Sequence, residues 1–272
     1  MKKILFFLLL GVSLWGYGKG VLYWAPHGCD EGKATASKHG GHGKGESAMF
    51  ALMNSEENTS AKLILPDLSE KALSFTLNTV MLPKPSMGGY YAMVAEASTA
   101  TRVQSAVRYL SLQGRPAKVS PVLLTALSKS ALEIVPDPLH REHDRYTASK
   151  SYRFILKFQN KPLKNATVTL ETHKTPIQNY MSDERGSFTI TLPNDFTDVR
   201  VGRSENKPSE FLLSVHHNDN FTAYTSTFSM PYHINPNDFW QSQSWGIGAI
   251  CLGFLGGIFL YRRHKKQGVS RG

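Results

Sequence analysis

Cysteine is almost missing from this chain: 272 residues contain two, Cys29 and Cys251. Cys251 lies in the most apolar stretch and Cys29 stands alone in the remainder, which excludes a disulfide framework. The fold must therefore be held by core burial, for which about 180 patterned residues suffice, as one large or two small domains. Catalytic signatures are absent as well. There is no Gly-x-Ser-x-Gly elbow, no His-Glu-x-x-His and no phosphate-binding glycine loop, so no enzyme is expected. Acidic residues are few, 21 against 31 Lys and Arg, a formal charge of +10 that resembles a nucleic-acid footprint. Seven of those cations, Lys2, Lys3, Arg262, Arg263, Lys265, Lys266 and Arg271, sit at the two ends with no acid beside them. The 24 that remain face all 21 acids, a net of +3, and nucleic acid is excluded as a partner.

What is present at the ends concerns membranes. Trp245 to Tyr261 is 17 residues without a charge, about 25 Å as a helix, enough to cross a slightly thinned bilayer core. The basic cluster after it predicts a cytoplasmic tail, residues 262–272. At the other end, Met1-Lys2-Lys3, the apolar run Ile4–Trp15 and Gly16-Tyr17-Gly18 predict a signal peptide over 1–18, cut after Gly18 or Gly20. An uncleaved N-terminal anchor is the alternative. Both place residues 19–244 outside the cytoplasm.

Between the ends, 19–60 reads as a flexible tether, since Gly28–Gly45 is Gly, Lys, His and Ser with almost nothing apolar. Short strand-like runs follow at Leu63–Leu65, Leu73–Leu77, Tyr90–Val94 and Ala106–Leu112, a smaller β module over 61–131. Pro121–Ala131 is the one stretch expected to hold a short helix. Alternation is clearer in 132–230: Tyr152, Phe154, Leu156 and Phe158; Ala166, Val168 and Leu170; Phe188, Ile190 and Leu192; Phe211, Leu213 and Val215. Turn signals at Asn160-Lys161-Pro162, Asp183–Gly186 and Asn218–Asn220 separate them. The class predicted is mainly β, an immunoglobulin-like or transthyretin-like antiparallel sandwich. A juxtamembrane stalk over 231–244 then leads to the transmembrane helix at 245–261.

Four segments carry a family resemblance: Leu132-Glu133-Ile134-Val135-Pro136-Asp137-Pro138, Gln159 to Val168, Ser182 to Pro193, and Phe211 to His217. In this order they resemble the periplasmic cobalt/nickel-transport component family, exported β-sandwich proteins. The Lys161-Pro162-Leu163 and Asp183-x-x-Gly186-x-Phe188 parts are shared with many carboxypeptidase-regulatory-like sandwiches. The resemblance implies a periplasmic ectodomain, which with the apolar run at 245–261 gives an expected single-pass anchor in a bacterial inner membrane. It further implies an accessory role in divalent metal uptake, with nickel or cobalt as cargo. The chain departs from the family at Val21–His27, where a His directly followed by an aromatic strand is common.

Imidazole and thiolate suit nickel, cobalt, copper or zinc. One candidate set is His27, Cys29, His39 and His42 on the tether, against the alternative of a solvated linker. Another is His140, His143 and Asp144, which approach one ion if the segment forms a helical turn, against a salt-bridged surface loop. His216 is the last, since His216 and His217 are strand neighbours that face opposite sides. Asn58, in Glu56–Ser60, heads an acidic glycosylation triplet. In the apolar run, Ala249, Gly253 and Gly257 form a small-residue stripe suited to self-association or to docking on a transporter's membrane subunit. Tyr232, Phe239, Trp240 and Trp245 are spaced for the outer interface. Two functions follow: metal capture for a permease, or a metal-free interaction module scaffolding a membrane complex.

Overall fold

The computed structural model describes residues 20–27, 48–82, 84–140, 145–202, 205–239 and 243–268, with side chains of the last segment at 246–259 and 261. The expected signal peptide, Cys29, His39, His42, His143 and Asp144 lie outside the described residues. The first strands are β1 (Tyr23–Pro26), β2 (Met49–Met53), β3 (Ser60–Ile64), β4 (Glu70–Ala72), β5 (Thr79–Met81), β6 (Met87–Ser98), β7 (Arg102–Leu112) and β8 (Arg115–Pro116). Helix α1 (Pro121–Ala126) follows, capped by the Ser120 hydroxyl with proline at its start. Then come β9 (Leu132–Pro136), β10 (Ser151–Phe158), β11 (Lys161–Pro162), β12 (Thr167–Thr172), β13 (Gln178–Met181), β14 (Ser187–Thr191), β15 (Ser209–Asp219) and β16 (Thr222–Tyr232). A single helical turn, α2 (Pro236–Phe239), precedes α3 (Gln243–Gly268).

The strands form three layers. The middle layer is a nine-stranded sheet in the order β13-β12-β15-β16-β7-β6-β3-β4, with β8 beside β6. On one face lies the sheet β11-β10-β14 with β9, and on the other the sheet β1-β2-β5. Alternate side chains of the middle strands enter different cores, because successive Cβ atoms point to opposite faces. Ala92, Val94, Val107 and Tyr109 meet Leu132, Phe154, Leu156 and Phe188 on one side. Tyr91, Met93, Ala95 and Ala106 meet Leu22, Trp24, Phe50 and Leu52 on the other. Burial on both faces explains the continuous buried stretches in β6, β7, β15 and β16, while β10 and β14, covered on one face, alternate cleanly.

The mainly β architecture and the strands of the second half match the sequence pattern. Three expectations are corrected. The first is the tether: its two ends are strands β1 and β2, with Leu22, Trp24 and Leu52 fully buried. Their short apolar runs flank a Gly/His/Lys segment whose composition masked them. The second is the separation of 61–131 from 132–230. Strand β16 pairs in parallel with β7, Ala223 opposite Arg102 through Phe228 opposite Val107, so one sheet crosses the expected boundary. That pair also departs from the purely antiparallel expectation. The third is the stalk. Tyr232 is the last rung of the β15–β16 ladder, opposite Ser209, and Tyr232, Ile234 and Phe239 are buried in the sandwich. Tyr232 and Phe239 are therefore core residues rather than aromatics at a bilayer interface.

Among the described residues no helix is long and apolar enough to cross a membrane. The α3 backbone continues for 26 residues.

Candidate functional site

Strand β1 is an edge strand of its own sheet, and side chains of the middle layer cover that edge. The Thr227 hydroxyl donates to Leu22 O at 2.5 Å and the Ser229 hydroxyl to Trp24 O at 2.7 Å. Leu22 N donates to Gln104 Oε1 at 3.2 Å, and the Trp24 indole to Ala106 O at 3.3 Å. Serine and threonine in the middle of strands are thus partners for a strand arriving from the other end of the chain. This satisfies backbone groups that burial would otherwise strand.

Two ion pairs are buried in the layers. Arg108 donates to both carboxylate oxygens of Glu210, at 2.7 and 3.0 Å, reaching across β16, and its guanidinium stacks on Phe50. Lys129 and Glu133 meet at 2.5 Å with side chains 0 and 2% exposed, and the ammonium also donates to Leu127 O. Burial pushes the Lys129 ammonium below its ordinary value, against the pull of Glu133. The Tyr109 hydroxyl beside them is driven up, by burial first and the Glu133 charge second. Lys129 and Glu133 are four apart across a loop-to-strand transition, and neither pair left a periodic signal in the sequence.

Among the described residues, those expected to bind metal, His27, His140 and His216, are not brought together. His27 is exposed just past β1, with Nδ1 3.4 Å from Thr79 Oγ1. His140 packs its ring against Tyr146 and Tyr152 at 4.6 and 4.7 Å between centroids. His216 is exposed on β15 with Nδ1 2.9 Å from Thr225 Oγ1. It lies five residues past Phe211, whose ring touches Tyr146, and on the opposite face of the sheet. His217 faces the other way, its ring 4.6 Å from Phe158, as strand geometry requires. Among the described residues no three His, Cys, Asp or Glu are grouped to hold a metal ion. The described histidines do not fit a resident metal centre. Asn58 is exposed on the turn before β3, its amide donating to Ser98 O.

The pole from which the chain leaves for α3 is built from loops joined by Asp195. This carboxylate accepts from the Tyr232 hydroxyl at 2.8 Å and from Thr175, tying the β14–β15 and β12–β13 loops to the end of β16. Burial acts to raise the Asp195 carboxyl, but hydrogen bonds from Thr172, Thr175 and Tyr232 outweigh it and hold it below the usual carboxylate range. Tyr232 is pushed well above its ordinary value, chiefly by burial and also by Asp195. Lys174 Nζ donates to Thr197 Oγ1 at 3.0 Å, and Asn194 Nδ2 to Asp238 Oδ2 at 3.3 Å, which fastens α2 to the same pole.

Helix α3 presents exposed apolar side chains. Ile247, Ile250, Leu252, Phe254, Leu255, Ile258, Phe259 and Tyr261 are exposed and spread over about 200° of the helix, and Ala249, Gly253, Gly256 and Gly257 occupy the remaining side. Ala249 is exposed, and nothing lies within 4 Å of where a Cβ on Gly253 or Gly257 would sit. The small-residue stripe is therefore present on a helix that packs against no described part of the chain.

No family model matches the chain, and no curated protein matches it. Among solved structures, a SusE-like surface-located polysaccharide-binding protein from the Bacteroides thetaiotaomicron heparin utilisation locus is similar at 11% identity. The match covers 68% of this chain and 31% of that one, with a TM-score of 0.22. The chain spans about a third of that protein's length, and a likeness of this size carries no argument.

Proposed function

We propose that this chain is a membrane-tethered, non-catalytic β-sandwich that serves as an interaction module on the outer side of a bacterial inner membrane. One observation carries the reading: α3 has no polar side chain from Gly246 to Phe259, and its large apolar side chains are buried against no described part of the chain. A helix without polar residues belongs in a core or in a bilayer, and among the described residues no core receives this one. Trp245 and Leu260 extend its uncharged run to 17 residues in the sequence, and the basic cluster after Tyr261 supports a cytoplasmic C-terminus. The residues that resemble the cobalt/nickel-transport component family occupy β9, β11, β12, β15 and the β13–β14 turn. They form the frame of a sandwich, so they support the scaffold more than a cargo. Membranes from cells expressing the full chain should retain it through alkaline carbonate. Protease added to spheroplasts should degrade the sandwich and leave a C-terminal epitope protected. Release by carbonate would reject the anchor.

A second reading, capture of nickel or cobalt for a permease, is favoured by one placement. The exposed ring of His27 stands at the base of the segment whose sequence carries Cys29, His39 and His42. Titration of the full chain in detergent with nickel, cobalt, copper and zinc against a chelator tests it. Binding tighter than about micromolar, roughly 8 kcal/mol, that is lost with Cys29→Ser and His39→Ala would support a sequestering segment. Weaker binding leaves the interaction module alone.

A further inference from the structure

The sandwich has two poles, and the connection to α3 decides which one meets the bilayer. Strand β16 runs 11 residues from Thr222 to Tyr232, about 35 Å. Its start is the hairpin tip carrying Phe221, and its end leads through buried Ile234 and Phe239. Only Trp240, Gln241 and Ser242 separate Phe239 from α3, at most about 11 Å of chain. With so short a link the Tyr232 pole stays within a headgroup layer's reach of the membrane, whereas the Phe221 tip is a strand length away.

The loops at the Tyr232 pole have a composition suited to that position. In the β14–β15 loop Val199 is 42% exposed and Val201 66%, with Arg200 between them. This segment is not loose. Asn206 Oδ1 accepts from Arg200 N at 2.9 Å, and Asn206 Nδ2 donates to Arg200 O and to Gly202 O, each at 2.7 Å. The adjoining β12–β13 loop adds Ile177, 54% exposed, and Lys174, whose ammonium bonds to Thr197 of the first loop. Asp198 and Glu205 in the same loop balance these cations, so the fixed, exposed Val199, Val201 and Ile177 are what match the boundary between acyl chains and headgroups. We infer that the Tyr232 pole is a second membrane contact, resting on the lipid surface through Val199, Val201 and Ile177 with Lys174, Asp198 and Arg200 at headgroup level. This rests on the reading of α3 as a membrane anchor. The sandwich is thereby held in one orientation, and the β15–β16 hairpin tip points away from the bilayer toward a partner.

The full chain with Cys29→Ser and Cys251→Ser, reconstituted in vesicles of phosphatidylethanolamine and phosphatidylglycerol, provides the test. Single cysteines at Val201→Cys, Ile177→Cys, Phe221→Cys and Ile258→Cys carry an environment-sensitive fluorophore, and brominated acyl chains serve as quencher. The expected result is deep quenching at position 258, shallow quenching at 201 and 177, and none at 221. Replacing phosphatidylglycerol by a neutral lipid should leave quenching at 201, 177 and 258 unchanged, because the loops carry both signs of charge. If 258 is quenched while 201 and 177 behave like 221, the surface contact is wrong and the anchor stands. If 258 is unquenched, the anchor reading and this inference fall together. Quenching at 221 in place of 201 would invert the orientation.

Discussion

Replacing Trp24 by alanine separates a structural β1 from a tether. The indole is 1% exposed, stacks near Phe75 with centroids 6.4 Å apart, and donates to Ala106 O. Truncating a buried Trp leaves a cavity whose walls relax only in part, a loss of about 3–5 kcal/mol. For a domain of this size each kcal/mol moves the melting temperature by about 2–4 °C, so Trp24→Ala should lower it by about 6–20 °C. A thermal melt of the full chain in detergent, followed at the β-sheet circular dichroism band, reads the change. Thr227→Ala and Ser229→Ala form a companion set. Each leaves a β1 carbonyl uncapped, at Leu22 or Trp24, and should cost about 1–3 kcal/mol. In a mobile tether Trp24 would tolerate alanine to within about 0.5 kcal/mol. A shift of 2 °C or less would refute the docking of β1.

The buried pair gives a second test: Glu133→Ala should destabilise by about 3–5 kcal/mol in urea titration, while Lys129→Met with Glu133→Leu should recover most of that loss. Asp195 predicts an acid limb. Its folded carboxyl titrates below the usual range, so its stabilisation is complete above about pH 4 and is lost as pH falls through the lower folded value. Asp195→Asn should therefore lower the unfolding midpoint at pH 6 and flatten its dependence below pH 4; an unchanged acid slope counts against the carboxylate. Gly186 sits at φ +70°, and a Cβ there would lie 2.5 Å from Leu156 O, so Gly186→Ala should cost at least about 1–3 kcal/mol, read as a lower urea midpoint. Phe239→Ala should cost about 3–5 kcal/mol if the segment before α3 belongs to the core, and next to nothing if it is a stalk.

The second half of the chain was legible because β10 and β14 each bury one face, and Tyr152, Phe154, Leu156, Phe188 and Ile190 alternate with polar neighbours. The turn at Asp183–Gly186 was legible for a local reason, since Asp183 Oδ1 accepts from Arg185 N and Ser187 N, each at 2.8 Å, and Gly186 supplies the positive φ. Strands buried on both faces offered no alternation, and β6 and β7 could not reveal a second covering sheet. Nor could the sequence reveal that Leu22 and Trp24 dock on Thr227 and Ser229, because those contacts span 205 residues. The metal residues were proposed from residue type alone. Where they are described they are engaged by aromatic or hydroxyl neighbours, so the type did not carry the geometry.

The docking of β1 on β16 also sets the order of assembly. The first strand pairs with β2 early, but its outer edge is capped only when the last strand has been made, and at about 5–20 residues per second those 205 residues take about 10–40 s of synthesis. Until then the outward carbonyls of Leu22 and Trp24 remain uncapped, and the β7–β16 pairing is equally deferred. Such long-range closure makes for slow folding and a long interval in which the nascent chain is open to aggregation or to a holding chaperone.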